Sequence, residues 1–255
     1  MSLTGFQSAL AQLIIDADSS RRTRCEPDGA LDGYDLTALE RRRLVAIAHD
    51  SKLRVAHRIH QFFRINALLQ SLPLTVRLLG DRRLRSLADG FWRLGAPRNY
   101  YYQREAARFG EYLIDLVERG ELKDPYIPEV VRFELAAMDL SRGQQVKGLE
   151  AYTGSETDWR PRLSHNLRLV IFEHAPGDLL SCLEQGKAPG DIQAGRYYLL
   201  LDGSSPECIR LVPLLAELGR ILQHCEGRLS VEEIGARARV SATDLQSLAA
   251  AGYLD

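Results

Sequence analysis

The carboxy-terminal stretch from Gly195 to Asp255 constrains the fold most, because turn signals and short periodic runs follow one another there at close spacing. Tyr197 to Leu201 is an apolar, aromatic-rich run, Asp202-Gly203-Ser204-Ser205-Pro206 is turn chemistry, and Cys208 to Val212 is a second short extended run. This order predicts a β-hairpin. Pro213 is then expected to open a helix carrying Leu214, Leu215, Leu218, Ile221 and Leu222 at helical spacing, with Gly227 as a left-handed stop. Ser230 with Glu233 and Ser241 with Asp244 repeat a capping-box pattern, so two further short helices are predicted, the last ending near Gly252.

Strands followed by three helices make a winged helix-turn-helix, a unit used to read DNA or to hold a peptide. A DNA-reading helix needs Arg, Lys, Asn or Gln directed at base edges and basic flanks for phosphates. Ala242 to Ala251 has no Arg or Lys, and its Leu245, Leu248 and Ala249 suit packing or a groove. Peptide capture instead adds an extended segment to an open sheet edge and drops its side chains beside a helix. The pattern Leu222-x-x-Cys225-x-Gly227-x-x-Ser230-Val231-x-x-Ile234, with Gly252-Tyr253-Leu254, resembles the PqqD-like peptide-recognition domain of pathways that modify ribosomally made peptides. The resemblance implies that a leader peptide pairs with a third strand at Glu207 to Val212 and lies against Ala242 to Ala251. The implied peptide-binding residues are Cys208, Ile209, Arg210, Leu211, Val212, Leu245, Leu248 and Ala249.

At 255 residues the chain is long enough for one large domain or two smaller ones, and its 45% hydrophobic and 26% charged content is that of a water-exposed globular protein. No run approaches ~18 uninterrupted apolar residues, and the start lacks signal-peptide order, so a cytoplasmic location and no membrane partner are expected. Cys25, Cys182, Cys208 and Cys225 form no C-x-x-C pair, which predicts reduced thiols, with Cys25 alone reactive. The net charge of −1 hides an uneven spread. Residues 1 to 110 hold 18 Lys and Arg against 11 Asp and Glu, and the remainder holds 15 against 23. Such a dipolar chain can orient a charged partner at short range.

The first half reads as helices. Leu3 to Ile15 carries one apolar stripe, Asp16 to Tyr34 is polar and turn-rich and is expected to be an irregular connection, and Thr37 with Glu40 starts the next helix. In the longer helix from Leu53 to Gln70, Val55, Ile59, Phe62, Phe63, Ile65 and Leu69 form a broad apolar face. Pro73 breaks it, Gly80 ends the following turn, and a further helix runs to Gly95. Tyr100-Tyr101-Tyr102 divides between core and contact surface, Gly120 ends another helix, and Asp124-Pro125-Tyr126-Ile127-Pro128 leads rigidly into a helix at Glu129 to Leu140. Arg142 to Arg162, rich in Gly, is expected to join two domains. Leu167 to Phe172 is the expected first strand of the sheet, with a helical turn at Asp178 to Glu184.

Four segments carry a second resemblance. Arg58-x-x-x-Phe62-x-Arg64-x-Asn66, Leu72-Pro73-Leu74-Thr75-Val76-x-x-Leu79-Gly80, Phe91-Trp92 and Pro125-Tyr126-Ile127-Pro128-Glu129-Val130-x-Arg132-Phe133-Glu134 occur in the order found in helical accessory proteins of multinuclear non-haem iron oxidases. The likeness covers residues 50 to 140 and departs at Phe63, where Tyr is commoner; in size and layout the chain most resembles the thiaglutamate-pathway type. It implies a heterodimer with an iron oxidase, no cofactor in this chain, iron in the partner, and docking through Arg58, Phe62, Arg64, Asn66, Tyr101 and Tyr102.

The expected architecture is therefore α+β, with an all-helical domain over residues 1–145 and a small winged helix-turn-helix, three strands and three helices, over residues 160–255. No catalytic or metal-binding residue is assigned. His57 and His60 are three apart on a helix, but no third ligand continues the set, and no nucleophile elbow, P-loop or H-E-x-x-H pattern occurs. The expected role is leader-peptide binding and presentation of a cysteine-containing end to the oxidase. The alternatives are a DNA-binding regulator, which requires salt-sensitive DNA affinity, and an autonomous metal or haem enzyme, which requires a cofactor bound to the isolated chain.

Overall fold

The computed structural model describes residues 3–94, 102–143, 159–205 and 207–255. The chain divides into two compact units that interleave in sequence: Met1–Gln70 with Asp81–Phe109, and Ser71–Gly80 with Gly110–Asp255. The junction expected between residues 145 and 160 thus lies within the second unit, and residues 144–158 are outside the described residues.

The first unit is helical. Helices α1 (Leu3–Ile15), α2 (Ala17–Cys25), α3 (Pro27–Leu31) and α4 (Ala38–His49) close around Ala9, Leu13, Leu31, Leu44 and Ala48, joined by Leu53 from α5 (Ser51–Ser71). The polar stretch expected to be irregular is in fact α2 and α3. Its helix-forming signal is a cap rather than an apolar stripe: the Asp16 side chain accepts from the Asp18 amide at 3.0 Å and from Ser19 Oγ. Ser19, Ser20 and Thr23 are buried, and Ser20 Oγ donates to the Leu13 carbonyl at 2.7 Å, so small hydroxyl residues let α2 lie close to α1. Thr37 and Glu40 form the expected reciprocal capping box.

Helix α6 (Pro73–Arg93) is interrupted at Gly80, whose φ of 70° and ψ of 160° no side-chain-bearing residue adopts at low cost. Helix α7 (Tyr102–Glu118) is followed by Gly120, also at positive φ.

In the second unit, α8 (Ile127–Gly143) packs on β1 (Leu167–His174), the first strand of an antiparallel sheet ordered β1, β2 (Ala194–Asp202), β3 (Arg210–Leu214). Both strand pairs keep regular register, Val170 opposite Leu199 and Leu200 opposite Val212, with an irregularity only between Phe172 and His174. Strand alternation sends Val170, Phe172, Leu199 and Leu201 into one apolar layer with α8 and α9 (Pro176–Glu184). Leu169 and Leu214 meet a second layer formed by α10 (Ala216–Leu222), α11 (Val231–Ala238) and α12 (Ala242–Ala250). The capping boxes predicted at Ser230 and Ser241 are both present.

Pro213 does not open a helix. It pairs with Leu199 inside β3, and α10 begins three residues later. Cross-strand pairing with β2 outweighs the local helix-start signal, and an edge strand accepts a proline whose missing N–H faces away from its neighbour. Correspondingly, Cys208 and Ile209 precede the strand rather than belong to it.

Candidate open sheet edge and buried charge network

Strand β3 is the outer strand of the sheet, and among the described residues no further strand pairs with its free side. Proline at 213 has its nitrogen turned outward, and backbone polar groups alternate in direction along a strand, so Leu211 shares that direction and offers its N–H and C=O to the open edge. The side chains alternate as well. Leu211 is 46% exposed and Val212 37%, whereas Leu214 is packed against the layer that contains Leu248 and Ala249. An added strand would therefore send alternate side chains toward the α10–α12 side and toward the α8–α9 side.

The residues expected to bind peptide fall into three groups. Leu211 and Val212 are exposed on β3, and Leu248 and Ala249 are half-buried on α12. Arg210 opens β3 and is held by Asp202, Nη2 to Oδ2 at 2.5 Å. The Ser204 side chain and amide, then Arg210, keep the Asp202 carboxyl below the usual range, so this pair fixes the β2–β3 turn. Ile209 packs against the α8–α9 layer, and Cys208 is exposed outside the strand. Leu245 is fully buried in the α10–α12 core and presents no groove surface. Its period places it under α12, a distinction that a nine-residue helix with apolar residues on several sides does not reveal in sequence.

The residues expected to dock a partner also separate. Arg58 and Phe62 are exposed, Phe62 by 62%, and Asn66 is half-buried. Arg64 is 3% exposed and engaged with Glu105. Tyr101 lies outside the described residues, and of Tyr102 only the backbone, at the start of α7, is described.

Glu105 Oε1 accepts from Arg64 Nε at 2.6 Å and from Trp92 Nε1 at 2.8 Å, and the Arg64 guanidinium stacks 4.2 Å from the Trp92 ring centroid. His60, one turn before Arg64, has a buried Nδ1 with no hydrogen-bond partner. Burial first, and the Arg64 charge second, lower the His60 pKa.

Two carboxylates organise the second unit. Glu134 accepts from the Leu74 amide at 2.6 Å, the Thr75 amide at 2.9 Å and Thr75 Oγ at 2.6 Å, supplying acceptors to the otherwise unsatisfied first turn of α6. Burial outweighs these donors and pushes its carboxyl up to about 7. Glu129 accepts from the Glu173 and His174 amides and meets His174 Nδ1 at 2.6 Å, tying α8 to the irregular end of β1. The signal for their burial in the sequence is helical spacing alone, since each acid falls one helical turn from an apolar residue of the core layer.

Among the described residues no three His, Cys, Asp or Glu side chains come together to hold a metal ion, and no helix is long and apolar enough to cross a membrane. Cys25 and Cys208 are both exposed, while burial pushes Cys225 up to about 11. The chain matches no protein-family model and no curated protein in sequence.

Proposed function

We propose that this chain is a non-catalytic peptide-binding subunit, whose sheet and helices α10 to α12 act as a winged helix-turn-helix that takes an extended peptide along the outer side of β3. The open edge at Arg210–Leu214 carries this reading, since it combines an outward backbone at Leu211 with exposed apolar side chains at Leu211 and Val212. The absence of Arg and Lys from α12 supports peptide over DNA.

More specifically, the chain is the partner of a multinuclear non-haem iron oxidase in the maturation of a ribosomally made peptide. It binds the leader and presents a cysteine-containing end to the iron held by the oxidase. Support comes from the ordered motifs of residues 58–134 and the peptide-domain pattern of residues 222–254. Several motif residues support structure rather than contact: Arg64 and Trp92 meet at Glu105, and Glu134 caps the turn that begins at Pro73. Two expected peptide contacts are narrowed by the geometry, because Leu245 and Ile209 are committed to core layers. The working surface is Leu211, Val212, Leu248 and Ala249.

Co-expression with the oxidase and its precursor peptide, followed by co-purification and amide hydrogen exchange, tests the reading. The expected result is a ternary complex in which the Leu211 amide exchanges more slowly than in the free chain. A bound peptide that leaves this amide unprotected overturns strand addition, and failure of either partner to co-purify overturns the functional assignment.

A further inference from the structure

Helix α5 has its most apolar face turned away from the core. At 100° per residue, Val55, Ile59, Phe62, Phe63 and Leu69 fall within an arc of roughly 120°. Their exposures are 56%, 52%, 62%, 55% and 38%. The opposite side, carrying Leu53, Arg64 and Leu68, is the buried one. A helix normally buries its apolar stripe and exposes its charges. Here the charged residue is inside, held by Glu105, and two phenylalanine rings in edge-to-face contact, with centroids 6.1 Å apart, stand in water. Contiguous exposed apolar surface of this kind marks a place where another molecule packs.

The charges on α5 select the occupant. The helix carries Lys52, Arg54, Arg58 and Arg64 and no Asp or Glu. Arg64 is neutralised internally, which leaves Lys52, Arg54 and Arg58 exposed beside the stripe. A second copy of this chain docking α5 on α5 would bring these cations to a helix with no carboxylate to meet them, and like charges at an interface oppose association. A partner with an apolar centre and an acidic rim fits both features.

We infer that the outer face of α5 is the surface on which the iron oxidase docks, through an apolar patch rimmed by carboxylates that pair with Arg54 and Arg58. This rests on the functional reading above and sharpens it. Phe62 and Phe63 form the anchor, and Arg64 acts from beneath by fixing α5 against Trp92 and Glu105.

The test combines a photo-cross-linker with charge-bearing variants. p-Benzoylphenylalanine in place of Phe63 is expected to cross-link the chain to the oxidase when the two are co-expressed. Phe62→Asp with Phe63→Asp is expected to weaken oxidase binding by about 100-fold, and Arg54→Glu with Arg58→Glu to weaken it by about tenfold, more at low salt. The thermal unfolding midpoint and peptide binding are expected to stay within error of wild type, since all four side chains are exposed and lie outside β3. A cross-link to a second copy of this chain, to any other protein, or none at all overturns the assignment, as does oxidase affinity within twofold of wild type in the double-phenylalanine variant. Peptide binding, measured separately with the isolated chain and the synthetic leader, shows whether such a failure concerns the α5 surface alone or the peptide-capture reading as well.

Discussion

Arg64 Nη2 lies 2.5 Å from Glu105 Oε1 with both side chains buried, 41 residues apart in sequence, and Trp92 closes over the pair. A buried ion pair does not by itself add much stability, because both charges are desolvated, but removing one member strands the other. This relationship explains how α5 can direct its apolar stripe outward and still be held: the inner face is fixed by a charge-assisted network at Arg64 set between the buried Leu53 and Leu68.

Removing either charge alone is therefore expected to be severe. Arg64→Met or Glu105→Leu should each cost about 3–5 kcal/mol, because one buried ion is left without a counterion. The combined variant should cost markedly less than the sum of the two. Urea unfolding of the three proteins measures this coupling, and strict additivity would contradict the network.

The buried carboxyl of Glu134 sets a pH dependence of a definite sign. Its pKa rises from 4.5 in the unfolded chain to about 7 in the fold, so between these values the unfolded state has already lost the proton that the folded state keeps. Its contribution is complete below pH 4.5 and falls away as pH rises through 7, by up to about 3 kcal/mol. His57 and His60 act oppositely: burial lowers both, so their contribution falls away as pH drops below the unfolded value. Glu134→Gln isolates the first effect. The unfolding free energy of wild type minus that of the variant should fall as pH rises from 5 to 7.5, to the variant's advantage; a constant difference would show that Glu134 does not titrate in this range.

Gly219 is where α10 meets β2 without a side chain between them. A Cβ there would stand 2.1 Å from Tyr198 Cγ and 2.5 Å from Tyr198 Cβ, too close for rotation of the ring to relieve. Alanine favours helix over glycine by about 1 kcal/mol, but this overlap outweighs it. Gly219→Ala should lower stability by about 1–3 kcal/mol, read as a lower urea midpoint.

Proline substitution separates the two edges of β3. At Leu211 it removes an outward N–H and leaves pairing with β2 intact, so Leu211→Pro should weaken leader binding by about tenfold at nearly unchanged stability. At Val212 the N–H faces β2, opposite Leu200, and Val212→Pro should destabilise the sheet itself. Anisotropy titration with a labelled leader and thermal unfolding distinguish the two; equal effects of both on stability would place the Leu211 amide inward.

The sequence by itself determined what depends on neighbours in the chain. The capping boxes at Thr37, Ser230 and Ser241, the break at Gly80 and the strands at Tyr197 to Leu201 and Leu167 to Phe172 all lie where local signals put them, because caps, turns and alternation act within a few residues. A polar helix such as α2 carries no such apolar pattern, since its stability comes from burial of small hydroxyl residues against α1 rather than from a stripe. The strand at Pro213 is not marked locally either, because pairing with Leu199 is a long-range gain that overrides a local helix signal. Direction was the property only the tertiary structure decided. The apolar stripe of α5 is plain in the sequence, and so is Arg64, but periodicity says only that they lie on opposite faces. Which face turns inward depends on whether a distant carboxylate and indole, Glu105 and Trp92, are there to receive the charge.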